Sequence, residues 1–294
     1  MSKPTLMTVA LGGCEGCHVS LLDAHEGLLD LLAVADLVYS PFSGPSEMPT
    51  RVDVAMIEGA VTTEEDRERL LRAREAATTL VAVGSCAVLG GIGGLRNLHR
   101  ASEVEAQAFG TDVEKSELLP PLEQRVHPVG DVVKVDISVP GCAPKTVQIV
   151  GALTAALKGE SYEQPRRNLC DECHREKKTM LEHSAEFVSD NVFALMELDE
   201  IDPDRCFLEQ GLLCMGPMTR EGCGARCTAA NVPCRGCSGP SRTDFEQGAK
   251  TIDALAAVLP AGALMYMEDL IGTGYRFSMP TSVFPAIYDH EGGE

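Results

Sequence analysis

Twelve cysteines, and the places where they fall, constrain this 294-residue chain more than any other feature. Four are spread through the first half beside glycine, in Gly12-Gly13-Cys14-Glu15-Gly16-Cys17, Gly84-Ser85-Cys86 and Pro140-Gly141-Cys142-Ala143-Pro144. The other eight crowd between Cys170 and Cys237. The chain opens Met1-Ser2-Lys3-Pro4-Thr5, without the charged and apolar regions of a secretory signal or a twin arginine, and it holds no apolar run of membrane-spanning length. The expectation is a cytoplasmic protein with no membrane partner. In that reducing compartment six disulfides do not persist, so metal or cluster ligation is the default use of the thiols.

The length suits one ordinary domain plus a smaller one, and 44% hydrophobic with 23% charged residues describes a folded chain rather than a disordered one. A formal net charge of -19 repels phosphate backbones and anionic lipid alike, so nucleic acid is excluded as a partner.

The first half alternates short β-branched runs with helical patterns. Leu6 to Leu11, Val34 to Tyr39, Val52 to Glu58, Thr79 to Gly84 and Val132 to Val139 read as strands, and the order strand, helix, strand predicts a doubly wound parallel sheet. Apolar residues from Val19 to Leu32 recur at helical spacing and predict one amphipathic crossover helix. Thr62 and Glu65 form a capping box for a charged helix to about Ala77, and Lys145 to Lys158 reads as a helix ended by Gly159. Leu95 to Pro128 is a partly helical insertion.

Beyond Pro165 the segment is rich in Gly, Pro and Arg and has too little apolar periodicity for a conventional core. Its helices are expected at Met180 to Leu198 and at Phe245 to Val258, the latter behind Thr243 and Glu246. Bound inorganic clusters would supply the missing cross-links. The division falls near residue 160, giving an α/β domain over 1–160 and a smaller, irregular one over 161–294.

In open α/β sheets the loops at the carboxyl ends of the strands converge, and Cys14, Cys17, Cys86 and Cys142 all lie on such loops. A cubane cluster needs four thiolates approaching from different directions, which separate loops provide. The flanking glycines admit backbone close to the cluster, and helix starts after Cys17 and Pro144 aim amide dipoles at its negative charge. The bland alternative is four ordinary buried thiols. The remaining eight divide by sequence proximity into Cys170, Cys173, Cys206 and Cys214, then Cys223, Cys227, Cys234 and Cys237. Two of the C-x-x-C pairs, Cys170 with Cys173 and Cys234 with Cys237, are also half-sites for zinc, which would make the chain a zinc-stabilised interaction scaffold.

The succession of these motifs, with Cys170-Asp171-Glu172-Cys173 and Pro233-Cys234-Arg235-Gly236-Cys237, resembles the small subunit of nickel–iron hydrogenases over nearly the whole chain. The resemblance implies a flavodoxin-like first domain whose proximal cluster is held by Cys14, Cys17, Cys86 and Cys142. It implies a distal cluster on Cys170, Cys173, Cys206 and Cys214, and a medial cluster on Cys223, Cys227, Cys234 and Cys237. Cys170 stands where membrane-linked relatives carry a histidine, so His174 is not needed as a ligand, and Cys227 completes the medial set, making all three clusters 4Fe–4S. The partners implied are a hydrogenase large subunit bearing the nickel–iron site and a downstream iron–sulfur or flavin acceptor. Asp204-Arg205-Cys206-Phe207-Leu208-Glu209-Gln210-Gly211 looks most like the coenzyme F420-non-reducing form associated with heterodisulfide reductase; NAD(P)-linked forms share much of it. The cluster subunit of respiratory quinone reductases resembles only the first half and has adjacent cysteines in the first motif.

Other motifs carry less. Gly90-Gly91-Ile92-Gly93-Gly94 lacks the final glycine of a dinucleotide loop, since Arg96 stands there, and reads as a flexible loop. Lys145-Thr146 follows Pro144 and makes no P-loop. His18 reads as a capping or surface histidine, and Glu15 as an exposed loop carboxylate.

Overall fold

Val52–Glu58 (β3) is apolar at nearly every position and almost wholly buried, which marks a strand covered on both faces. It is the middle of a five-stranded sheet with β1 (Thr5–Ala10), β2 (Asp36–Tyr39), β5 (Ala77–Val83) and β7 (Ile137–Val139). The order is β2-β1-β3-β5-β7 and every pairing is parallel, the flavodoxin-like doubly wound arrangement. A small antiparallel pair, β4 (Val61–Thr63) with β6 (Leu122–His127), stands apart from it. The computed structural model describes residues 3–42, 47–110, 119–177, 200–241, 246–258 and 269–283. The expected helix at Met180 to Leu198, and the Thr243 half of the second expected capping box, lie outside the described residues.

Side chains alternate across the strands, so each face of the sheet builds its own core. Met7, Val9, Ile57 and Leu80 pack with Leu70 of α3 (Glu64–Ala76) on one side. Leu6, Met56 and Val81 pack with Ile149 and Leu153 of α7 (Thr146–Lys158) on the other. Helix α7 stops at Gly159 in the left-handed region, as its sequence implies.

Four local expectations are revised. The crossover after β1 is two helices, α1 (Gly16–Leu22) and α2 (Glu26–Val34), broken at His25 with φ 49. The bend lets Leu21 and Leu31 both reach the core while Val19, Leu22 and Leu29 stay exposed. The capping box is shifted by one residue: Thr63 Oγ1 accepts the Asp66 N–H and the Asp66 carboxylate accepts the Thr63 N–H, each at 3.1 Å. The expected last strand, Val132 to Val139, is shortened to Ile137–Val139: Val132 ends a helical turn, α6 (Val129–Val132), residues 133–136 are irregular, and Val129 and Val133 are drawn into the core beside α3. The glycine-rich stretch is a packed 3-10 turn, Ile92–Leu98, after α4 (Ser85–Leu89) and before α5 (Ala101–Phe109).

The chain forms two units, Met1–Gln164 rejoined from Phe277 onward, and Pro165–Arg276. The second unit contains α8 (Arg226–Ala229), α9 (Gln247–Val258) and α10 (Leu270–Gly274). Its core is small, built on Leu169, Phe207, Leu208, Leu212, Met215 and Leu255, and includes the buried thiols of Cys214 and Cys234. Arg175 is buried there, and among the described residues no carboxylate pairs with it. Its guanidinium lies 3.7 Å from the Phe207 ring centroid and donates to the carbonyls of Asp202 and Arg205 at 2.7 and 2.8 Å.

Candidate metal centres

Strands β1, β5 and β7 each end in a turn that carries a cysteine. Glu15, exposed as expected, adopts a left-handed φ of 61 and turns the chain directly into α1, which brings Cys14 and Cys17 to the same corner. Gly84, with φ 92, turns β5 into α4 and delivers Cys86, while Gly141 precedes Cys142 after β7. A side chain cannot be accommodated at Gly84: a Cβ there would lie 2.4 Å from Cys17 Sγ. The Gly84 N–H donates to the Val139 carbonyl, and the Ser85 N–H to that of Gly141, both at 2.8 Å, which ties the second loop to the third.

The four thiols of this corner are within electrostatic reach of one another. Burial, then the Glu58 carboxylate, then Cys86, Cys142 and Cys14 hold the Cys17 thiol far above its ordinary range. Burial and the charges of Cys142, Cys14 and Glu58 push Cys86 up to about 11, against the Ile92 N–H that points at its sulfur. Thiols raised in this way are poor nucleophiles in the free state. A cationic metal group reverses the balance, because it replaces solvent as the stabiliser of the thiolates.

The second set converges still more plainly. Cys170, Cys173, Cys206 and Cys214 line a single cavity of about 100 Å³, together with Leu169, Arg175, Phe207 and Thr228. Desolvation, then Cys214, Cys206 and Cys173, drives Cys170 up to about 12, with Lys177 opposing. Burial likewise drives Cys214 up to about 11 against N–H donors from Gly216 and Cys234. Gly216 borders the cavity; a Cβ on it would come within 3.3 Å of Cys170 Sγ and 3.6 Å of Cys214 Sγ. Cys206 receives the Leu208 and Glu209 N–H groups. Amides directed at sulfur stabilise the negative charge of a ligating thiolate.

In the third set, Cys234 and Cys237 lie close enough for their charges to interact, and burial raises the Cys234 thiol strongly. Cys223 packs against the apolar cluster that contains Cys234, and Cys227 is exposed on α8. The second and third sets abut, since the Cys234 N–H donates to Cys214 Sγ at 3.4 Å. Glu172, between Cys170 and Cys173, accepts the N–H groups of Gly222 and Gly224 on either side of Cys223, the latter at 2.6 Å.

Among the described residues, no three His, Cys, Asp or Glu side chains converge at the spacing of a single ion. Four thiols around a cavity, flanked by glycines and facing amides, fit a polynuclear cluster better than one zinc. His174 is exposed.

Two residues were misjudged or missed from sequence. His18 is no surface residue: it is 3% exposed, its Nδ1 2.8 Å from Glu58 Oε2, with its ring edge-on to Phe42. Glu58 is 2% exposed at the carboxyl end of β3 and faces the first thiol set. The signal in the sequence is a carboxylate that directly follows the apolar run Val54-Ala55-Met56-Ile57 and precedes Gly59.

Residues 14–156 match the family model described as NADH ubiquinone oxidoreductase, 20 Kd subunit. Across 99% of both chains, the sequence is 39% identical to the G subunit of the F420-non-reducing hydrogenase of Methanothermobacter marburgensis. Among solved structures, a chain of an NAD+-reducing nickel–iron hydrogenase in the H2-reduced state aligns with a TM-score of 0.53 and 37% identity, covering 56% of this chain and 96% of that one. A chain of the nickel–iron–selenium hydrogenase of Dm. baculatum aligns with a TM-score of 0.55 and 20% identity over 83% and 97%, a likeness of fold.

Proposed function

Because this chain belongs to the family of F420-non-reducing hydrogenase small subunits, within the nickel–iron hydrogenases, we propose that it relays electrons through three 4Fe–4S clusters. It is thus one subunit of an oxidoreductase whose hydrogen-splitting nickel–iron centre lies on a large-subunit partner. Two observations carry the relay reading: in the second unit Cys170, Cys173, Cys206 and Cys214 line one cavity, and in the first unit four thiols share a corner at the sheet's carboxyl edge.

In this reading, Cys14, Cys17, Cys86 and Cys142 hold the proximal cluster on the domain over 1–160. Cys223, Cys227, Cys234 and Cys237 hold the medial one, and Cys170, Cys173, Cys206 and Cys214 the distal one, on the domain over 161–294. The bound clusters supply one-electron redox chemistry. The chain's own residues hold them in place, exclude water and set their potentials with amides, charges and burial. Around the first corner, exposed Val19, Leu22 and Val147 offer apolar contact area for the large subunit. Helices α1 and α7 are held together there by Ser20 Oγ donating to the Pro144 carbonyl and Thr146 Oγ1 donating to that of Ser20.

The acceptor in this proposal is a soluble iron–sulfur or flavin protein of the heterodisulfide reductase type, and the complex works in the cytoplasm. Among the described residues no helix is long and apolar enough to cross a membrane. A second acceptor class, NAD(P)-linked, is favoured by the 37% identity to the NAD+-reducing enzyme over 56% of the chain. The quinone-reductase reading is weaker, since that family match ends at residue 156 while hydrogenase relatives span both halves. The test is anaerobic purification of the native complex. About twelve iron and twelve acid-labile sulfide per chain, a nickel-bearing partner and hydrogen-dependent dye reduction are expected. A colourless chain carrying zinc and no sulfide would overturn the reading. Heterodisulfide or NAD(P)+ supplied with hydrogen then separates the two acceptor classes.

A further inference from the structure

Three of the four glycines in the run Gly90-Gly91-Ile92-Gly93-Gly94 are tightly specified by what surrounds them. A Cβ on Gly90 would lie 2.2 Å from Pro280 Cγ, and one on Gly94 would lie 2.3 Å from the same atom and 2.4 Å from Cδ. Gly90 and Gly91 have φ of 90 and 64, which already favours glycine. Gly94 has no such backbone requirement, so only the Pro280 ring excludes a side chain there. At Gly93, next to it, a Cβ would meet nothing within 4 Å.

The other side of the run faces a ligand candidate. A Cβ on Gly91 would lie 2.4 Å from Cys86 Sγ and 2.9 Å from its Cα, and the Gly90 N–H donates to the Cys86 carbonyl at 2.9 Å. The Ile92 N–H points at the Cys86 sulfur. The Gly91 N–H is in turn held by the Phe277 carbonyl at 3.1 Å, from the segment that carries Pro280. That segment is braced by its own turn: Met279 and Pro280 are buried, and the Thr281 N–H donates to the Ser278 carbonyl at 3.1 Å. A stretch from the far end of the sequence therefore grips the loop that offers an amide to Cys86.

We propose that Pro280 and the Gly90–Gly94 run form a clasp that fixes the Ile92 N–H on the Cys86 sulfur, making Pro280 a positioning residue for the reduction potential of the cluster bound there. This rests on the reading of Cys86 as a cluster ligand. An N–H···S bond is stronger to the reduced, more negative cluster than to the oxidised one, so it raises the potential. Loosening the clasp lowers it.

The test is a redox titration of the anaerobic complex followed by electron paramagnetic resonance, with iron and sulfide analysis of each preparation. Ile92→Pro removes the donor outright at a first helical position, where proline is tolerated and the Ile92 side chain is exposed. It is expected to cut the reduced-to-oxidised ratio of the proximal cluster at a fixed poise about tenfold, equivalent to about 59 mV for one electron. Pro280→Ala and Gly94→Ala should shift the same cluster in the same direction by less. Their double variant should shift it no further than the larger single one, because both act through one contact. Gly93→Ala should leave it unmoved, and the other clusters should keep their potentials throughout.

An unchanged proximal potential in Ile92→Pro, or in a Pro280→Ala complex that retains its iron, overturns the clasp. So does an equal shift from Gly93→Ala. If Pro280→Ala fails to assemble, Gly94→Ala and Ile92→Pro decide the matter. Absence of iron and sulfide from the wild-type chain would instead remove the ligand reading on which the clasp rests.

Discussion

The Glu58 carboxylate accepts the backbone N–H of His18 at 2.6 Å with the same oxygen that lies 2.8 Å from the His18 ring nitrogen, and both residues are almost fully buried. One side chain at the end of β3 thus anchors the first turn of α1, one residue from Cys17. Glu58→Ala strands the buried His18 backbone N–H, which costs about 1–3 kcal/mol, and removes the carboxylate next to the buried imidazole. The expected outcome is a complex with a lower unfolding midpoint and an altered proximal-cluster resonance, while the distal signal is retained. Thermal unfolding and electron paramagnetic resonance of the same preparation check it.

Gly84→Ala puts a methyl carbon 2.4 Å from Cys17 Sγ at a backbone φ of 92. The contact cannot be relieved without moving Cys17 or the turn after β5, so on the proposed assignment the variant should lose the proximal cluster, about four iron per chain. Metal analysis reads this directly; full occupancy would show that the corner does not grip a cluster.

On the proposed assignment, Cys86→Ser and Cys170→Ser act at different centres. The first should abolish the proximal signal and interrupt transfer from the hydrogen-splitting partner. The second should leave that signal intact and chiefly slow delivery to an external acceptor. Cys214→Ser should disturb two centres, since Cys214 Sγ accepts the Cys234 N–H. Identical spectra from Cys86→Ser and Cys170→Ser would mean one shared centre and refute the division.

Stripping the clusters with an anaerobic chelator and oxidant should affect the two units unequally. Met1–Gln164 has aliphatic cores on both faces of its sheet, whereas Pro165–Arg276 has one small core that incorporates Cys214 and Cys234. Hydrogen exchange should rise sharply from Leu169 to Leu255 while β1, β3 and β5 stay protected. Equal protection after stripping would show that the second unit folds without metal.

Much of the fold was legible because its signals are short-range. The β-branched runs of β1, β3 and β5, the Gly159 stop of α7 and the glycine-flanked cysteines at strand ends are local patterns, each contained in a few residues. The two-helix crossover was less so, because Leu28, Leu29, Leu31 and Leu32 keep helical spacing whether or not His25 interrupts the chain. Cys170, Cys173, Cys206 and Cys214 line one cavity although 44 residues separate the first from the last, a proximity that sequence spacing alone does not reveal.

What the amino-acid order determined by itself was the parallel α/β architecture, the placing of thiols at its carboxyl edge and a cysteine-dense second half. Only the tertiary structure decided that His18 is buried against Glu58, that Cys214 touches Cys234, and that Gly94 is glycine because of Pro280. Those contacts join residues 40, 20 and 186 positions apart. Periodicity and propensity are properties of neighbouring residues, while burial and a steric veto depend on which distant atoms packing brings alongside.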